Sequence, residues 1–219
     1  MFTGIIQAKG KIVAVEQRGG DRRYCIDGGE LDLSALRPGD SIAVNGVCLT
    51  AVALRGKEIM VDVSLETLRC TTFDNLAPGE EVNLEPALLP MTPLGGHFVS
   101  GHVDGVGRVS SREVAARSVV LGITIPASLV RYVAAKGSIC MDGVSLTVNE
   151  IEGQTLMVNI IPHTLAQTTL AACEVGCRVN IEVDLLARYL ERLLQSANAM
   201  QNGNIDRDFL QTHGFAAGD

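Results

Sequence analysis

The sequence contains no tryptophan and only three Tyr and five Phe, so its cores must be built from Val, Ile, Leu and Ala. It has no basic run longer than two residues, and its formal net charge is −7. Tracking a nucleic-acid backbone needs a positive surface, so that class of function is excluded. No stretch approaches 18 uncharged apolar residues, so no membrane-spanning helix is expected. Phosphate loops, dinucleotide fingerprints, zinc-protease helices and nucleophile elbows are all missing. The opening Met1-Phe2-Thr3-Gly4 has no basic or apolar signal character, which leads us to expect a cytoplasmic protein with reduced thiols.

What the chain does have is a repeat. Asn45-Gly46-Val47-Cys48-Leu49-Thr50 returns 97 residues later as Asp142-Gly143-Val144-Ser145-Leu146-Thr147. The same offset pairs Gly4 with Gly101, Ile42 with Ile139, Thr67-Leu68 with Thr164-Leu165, and Val82-Asn83 with Val179-Asn180. A period this long is a duplicated domain and not a solenoid unit. The six cysteines fall at unmatched positions, as a duplicated disulfide framework would not.

Within each copy, Gly, Pro and Asn turns separate about six short β-rich runs, the first read over residues 2–16. Asn45-Gly46 and Asp142-Gly143 are hairpin signals. One short helix per copy is expected, at Ala127 to Lys136 after Pro126 and more weakly near Leu31 to Leu36. So many short strands in so few residues imply a small sandwich or closed barrel, and closure removes the exposed edges. The expected organisation is a first barrel over residues 1–90, a Pro90/Pro93 linker, and a second barrel over 95–184. An assembly helix over 185–196, with apolar residues 185, 186, 189, 190, 193 and 194 on one stripe and Asp184 as its cap, precedes a polar tail over 197–219.

Differences between matched positions point to function. Cys48 faces Ser145, Ile5 faces His102, and Glu66 faces His163. A buried thiol and a surface histidine are ordinary structural features. Placed at equivalent points of two modules, they suggest two similar pockets, one bearing Cys and the other His and Lys. Thr50, Thr67, Thr147 and Thr164 offer neutral donors and acceptors suited to a polyol or heterocycle. Lys136 before Gly137 reads otherwise as a helix-terminal charge. His97 and His102 are five apart, on opposite faces of a regular strand, and Cys173-x3-Cys177 has no further ligands nearby, so no metal is expected.

Several longer motifs carry a resemblance: Met1-Phe2-Thr3-Gly4-Ile5-Ile6, the two Gly-Val-x-Leu-Thr segments, and Ser64-Leu65-Glu66-Thr67-Leu68-Arg69. Gly95-Gly96-His97-Phe98-Val99-Ser100-Gly101-His102-Val103-Asp104-Gly105, Lys136-Gly137-Ser138-Ile139 and Ile161-Pro162-His163-Thr164-Leu165 belong to the same set. Over about residues 1–194 the chain resembles riboflavin synthases of the alpha-subunit type. The resemblance implies an all-β fold of two tandem six-stranded Greek-key barrels, with a C-terminal helix holding a homotrimer and active sites between subunits. It implies dismutation of two 6,7-dimethyl-8-ribityllumazines to riboflavin and 5-amino-6-(D-ribitylamino)uracil, with no cofactor, and one lumazine held by each barrel. It leaves association with a lumazine synthase shell open.

The implied contacts of the first barrel are Gly4, Ile5, Ile6, Cys48, Leu49, Thr50, Asp62, Val63, Ser64, Leu65, Glu66 and Thr67. Those of the second are Gly101, His102, Val103, Lys136, Ser145, Leu146, Thr147, Ile160, Ile161, Pro162, His163, Thr164 and Leu165. Phe2, Ser41 and Asp184 resemble further site positions, and Cys48, His102, Phe2 and Ser41 are the implied catalytic set. The family's non-catalytic branch, which binds lumazine or flavin as an antenna, is the alternative reading.

Overall fold

The computed structural model describes residues 1–201, with side chains through Ser196, so the expected tail lies outside the described residues from 202 onward. Twelve strands are found among them. β1 (Ala8–Arg18), β2 (Asp21–Asp27), β3 (Ser41–Val44), β4 (Val47–Arg55), β5 (Glu58–Val63) and β6 (Glu81–Pro86) close one antiparallel barrel in the order β1-β2-β5-β4-β3-β6. β7 (Gly105–Ala115), β8 (Ser118–Thr124), β9 (Ser138–Met141), β10 (Val144–Glu152), β11 (Thr155–Ile160) and β12 (Arg178–Val183) close a second with the same connectivity. Each strand of the second barrel begins 97 residues after its counterpart. The bulges recur at that offset too, at Ile12/Ala14 and Val109/Ser111, and at Ala51/Ala53 and Val148/Glu150. Bulges bend a strand and raise its local twist, which a barrel of six short strands requires.

The hairpin turns are as their sequence demands. Asn45 (φ 46°) and Gly46 (φ 77°), like Asp142 (φ 45°) and Gly143 (φ 83°), take the paired left-handed conformations of a type I′ turn. After each turn the alternation is strict. Val47, Leu49 and Ala51 point into the first core, while Cys48 and Thr50 point outward; Val144, Leu146 and Val148 do the same in the second. Each interior is filled, the first by Ile12, Tyr24, Ile26, Ile59, Phe73, Leu84 and their neighbours.

The helices differ from expectation. Ala127–Tyr132 is a 3₁₀ stretch that stops before Lys136, and residues 31–36 form bends and no helix. Pro126 supplies no side-chain cap to the first of them. Instead α1 (Leu65–Cys70) and α2 (Pro162–Gln167) follow β5 and β11. The Ser64 hydroxyl caps α1 by accepting from the Thr67 amide, and Pro162 starts α2 at a position where no N–H is needed. The last helix, α3 (Leu185–Gln201), runs past residue 196. Taken by itself, it presents Leu186, Tyr189, Leu190, Leu193 and Leu194 as exposed side chains.

Residues 2–6, expected to begin the first strand, do not join it, because β1 starts at Ala8. They are a lead-in that crosses to the other barrel. Residues 99–103 are the matching lead-in of the second module. Phe2 and Val99, 97 apart, exchange antiparallel backbone bonds of 2.7 and 3.2 Å and so mark a local two-fold axis. Around it Phe2, Val99, Ala43 and Cys140 form a small apolar cluster between the barrels, joined by Cys48 and Ala87. The polar contacts also come in pairs. Asn83 Nδ2 donates to the Asp142 carbonyl and Asn180 Nδ2 to that of Asn45, while Asn180 and Asn83 side-chain oxygens accept from the Thr72 and Thr169 amides. Met1–Leu185 thus form one compact unit in which the modules are not separable halves.

Candidate functional site

The strand alternation decides where the candidate residues can act. Ile42 and Leu49 face the first core, so Ser41, Ala43, Cys48 and Thr50 lie together on the outer face of the barrel, with Ser41 paired to Thr50 and Ala43 to Cys48. Asp62 lies on the adjoining strand, one position past the β4–β5 ladder, where it holds Arg23 through two bonds of 2.6 Å. That guanidinium keeps the Asp62 carboxyl below the usual carboxylate range. The second barrel repeats the row with Ser138, Thr147 and Asn159. The barrel interiors being full, each site is an external face. The expected contacts Leu49, Val63, Leu146 and Ile160 turn inward as core residues, which leaves only their backbone to a ligand.

The lead-ins are exchanged relative to expectation. The Cys48 amide donates to the Gly101 carbonyl at 2.8 Å, and the Ser145 amide donates to the Gly4 carbonyl at 2.8 Å. Val103 packs on the first barrel's core and Ile6 on the second's. His102, which is exposed, therefore follows a residue bonded to Cys48, while Ile5 follows one bonded to Ser145. The expected pair of a Cys pocket and a separate His pocket is corrected: Cys48 and His102 belong to one neighbourhood. The contact that sets this is very close. A Cβ on Gly101, at φ +81°, would lie 2.6 Å from Cys48 Cβ and 2.9 Å from the Phe2 ring. Phe2, fully buried, is thus the floor under this junction.

On the Ser145 side, His97 Nδ1 lies 2.7 Å from Ser145 Oγ. His97 is buried, its Nε2 has no hydrogen-bond partner among the described residues, and burial lowers its pKa against the opposing pull of Asp184. A neutral imidazole there can accept the Ser145 proton and leave Oγ nucleophilic or proton-accepting. Sequence reading weighed His97 only as a metal ligand, since it has no repeat partner within the chain. Among the described residues no cluster of three or more metal-ligating groups occurs. Lys136 is not a helix cap. It holds a left-handed turn (φ 67°) where the first module has Gly39 (φ 99°), and donates its amide to Val148 at 2.7 Å as Gly39 does to Ala51. Keeping a lysine in that conformation costs about 1 kcal/mol relative to glycine.

The remaining expected contacts lie at the starts of α1 and α2. Ser64, Leu65 and Glu66 are exposed and Thr67 half-exposed; Ile161, Pro162 and His163 are exposed, with Thr164 and Leu165 half-buried. A cavity of about 740 Å³ opens beside Ser41, lined by Thr3, Ile5, Gln7, Glu85 and linker residues Ala87, Leu88, Leu89 and Thr92. Of the expected site residues it borders Ile5 and Ser41, while Cys48, His97, His102 and Ser145 are not in its lining; its linker wall was not foreseen. A second cleft of about 410 Å³, bordered by Asn45, Asp142, Cys173, Cys177 and Arg178, contains none of the expected site residues.

Comparison with known proteins bears on the family of the chain. The model of the lumazine binding domain family matches twice, at residues 3–87 and 100–184. Riboflavin synthase of Photobacterium phosphoreum is 45% identical over 98% of this chain and 99% of its own length. That of Mycobacterium tuberculosis is 44% identical over 90% and 100%, and that of Bacillus subtilis 38% over 98% and 100%. Among solved structures, LumP complexed with riboflavin (TM-score 0.78) and with 6,7-dimethyl-8-(1′-D-ribityl)lumazine (TM-score 0.76) are each 28% identical, over 84% of this chain and 99% of theirs. With two lumazine-binding domains and full-length identity to synthases of several bacteria, the chain belongs to the riboflavin synthase family.

Proposed function

We propose that this protein is a riboflavin synthase, which takes one 6,7-dimethyl-8-ribityllumazine on each module and moves a four-carbon unit from one to the other. The observation that carries the reading is the pair of equivalent but unequal faces, Cys48 with the His102 lead-in and Ser145 with His97. Two identical substrates call for two similar sites, and donor and acceptor roles call for different chemistry in them. The C7 methyl of one ring must lose a proton, which needs a base within hydrogen-bond reach. His102 and the Ser145–His97 pair are the candidates for it. Cys48, or a water it holds, is the candidate nucleophile toward C7 of the other ring. Holding two flat rings in register supplies much of the remaining rate.

External, open faces must be closed by something that excludes water from the carbanion. A second copy of the chain, brought in by the exposed Leu stripe of α3, would bring the first-module face of one subunit against the second-module face of another. The homotrimer and its intersubunit sites enter the proposal on that ground.

A second reading is a non-catalytic lumazine or flavin carrier. The solved structures favour it more directly than they favour the enzyme, since they are LumP complexes. The enzyme is proposed because both faces retain reactive side chains, and a carrier needs only one binding face. Cys48→Ser and His102→Gln test it. Each is expected to lower turnover at least tenfold with melting temperature nearly unchanged. Turnover per folded molecule equal to the parent in both would reject the catalytic roles.

A further inference from the structure

Two buried carboxylates have no part in the chemistry above. Glu182 of β12 and Glu85 of β6 occupy equivalent positions, each 4% exposed. Glu182 Oε1 accepts the Ser100 amide at 2.6 Å and the Ser100 hydroxyl at 2.7 Å, and Oε2 accepts the Gly101 amide at 2.9 Å. Glu85 does the same for Thr3 and Gly4, at 2.7, 2.7 and 3.0 Å. Both carboxyls are pushed above their ordinary pKa by burial, partly offset by these bonds. An ionised carboxylate is a costly group to bury, and backbone pairing could hold a strand without it. What it supplies is three charge-assisted acceptor bonds that fix a short segment in one place.

We propose that Glu182 is the positioning residue of the Cys48–His102 site, acting from the opposite barrel, and that Glu85 is its counterpart for the Ser145 site. The chain of contacts is short. Glu182 fixes Ser100 and Gly101, the Gly101 carbonyl receives the Cys48 amide, and the His102 amide donates to Ser100 Oγ at 3.3 Å. His102 thereby takes its place over the first barrel from an anchor on the second. The two modules differ at Cys48/Ser145 and Ile5/His102 but share this carboxylate, as a device for placing different side chains over similar faces would.

The effect on turnover rests on the enzyme reading; the effect on the Cys48 environment does not, and the experiment measures both. In Glu182→Gln, the carboxamide can still accept from Ser100 but turns an N–H toward the Gly101 amide. The lead-in should lift from Cys48. Alkylation of Cys48 by iodoacetamide, followed by peptide mass spectrometry, is expected to rise at least fivefold, with Cys25 and exposed Cys70 at parent rates. A displacement of about 1 Å at a reacting group costs about 100-fold in rate. Accordingly kcat for riboflavin formation is expected to fall at least tenfold with KM within threefold of the parent. Glu85→Gln should leave Cys48 alkylation unchanged, since its lead-in rests on Ser145. If Glu182→Gln does not fold, Ser100→Ala, which removes one of the three bonds, should show a smaller rise at Cys48. Ser100→Thr, which restores the residue type of Thr3, should not. Parent-like Cys48 alkylation in the folded variant overturns the proposal, and so does an equal rise at Cys25, which would mean general loosening. An unchanged kcat in Glu182→Gln also overturns it. An inactive parent would overturn the enzyme reading alone, and Cys48 alkylation would then decide the positioning claim.

Discussion

Asp142 offers a test of the fold's electrostatics with an internal control. It sits at the hairpin turn of the second module, 8% exposed, and its Oδ1 accepts the Asn180 amide at 2.7 Å. In the first module Asn45 makes the same bond to Asn83 at 2.7 Å with no charge. Burial pushes the Asp142 pKa from 3.8 up to about 8. A folded-state pKa above the unfolded value means that the folded form holds the proton more tightly. The associated stability is fully present below about pH 4 and is lost as pH rises toward 8. At about 1.4 kcal/mol per unit, the ceiling on that loss is about 6 kcal/mol. Asp142 borders the 410 Å³ cleft, so water and local relaxation will reduce it. We expect Asp142→Asn to gain about 1–3 kcal/mol at pH 8, or roughly 3–10 °C in melting temperature, and close to nothing at pH 4. The assay is thermal unfolding of parent and variant at fixed protein concentration across pH 4–9. Subtracting the two curves removes the contributions of Glu85 and Glu182, whose pKa values move the same way. A variant that is less stable at pH 8, or whose difference from the parent is flat with pH, would refute the reasoning.

Two further outcomes follow from packing. Gly101→Ala is expected to cost about 2–4 kcal/mol in urea unfolding, from left-handed strain and overlap with Cys48 and Phe2. Gly19→Ala, also at positive φ but with nothing within 4 Å, should cost only about 1 kcal/mol, and the matched Ala116 at φ 55° shows the conformation is tolerated. Equal costs would deny the close contact at Gly101. Leu190→Asp with Leu193→Asp on α3 should dissociate the proposed trimer by light scattering, since burial of each Leu is worth about 1.5–3 kcal/mol; a parent that is already a monomer, or an unchanged trimer mass in the variant, would reject that helix as the assembly element.

Much of this was legible in the residues. The 97-residue offset anticipated both barrels, and the Asn-Gly and Asp-Gly turns fixed the hairpins that place Cys48 and Ser145. The outward direction of Cys48 and Thr50 could also be read, from Val47, Leu49 and Ala51 alternating with them. The exchange of lead-ins could not, because it is made by backbone bonds at Gly4 and Gly101 and by carboxylates eighty residues away. Such pairings leave no periodicity. His97 escaped comparison because the first module has no matching position. The helix expected at 127–136 is a 3₁₀ stretch ending at Tyr132 and the weaker one at 31–36 is absent, while Ser64, with a hydroxyl at the cap and Glu66 in the first turn, marked α1 in plain view.

The central claim is that both modules act on one substrate pair. It is tested most directly by incubating the protein with 6,7-dimethyl-8-ribityllumazine and counting every product by chromatography. The account predicts one riboflavin and one 5-amino-6-(D-ribitylamino)uracil for each two lumazines consumed, over many turnovers. Lumazine bound tightly and recovered unchanged would contradict it and leave the carrier reading standing.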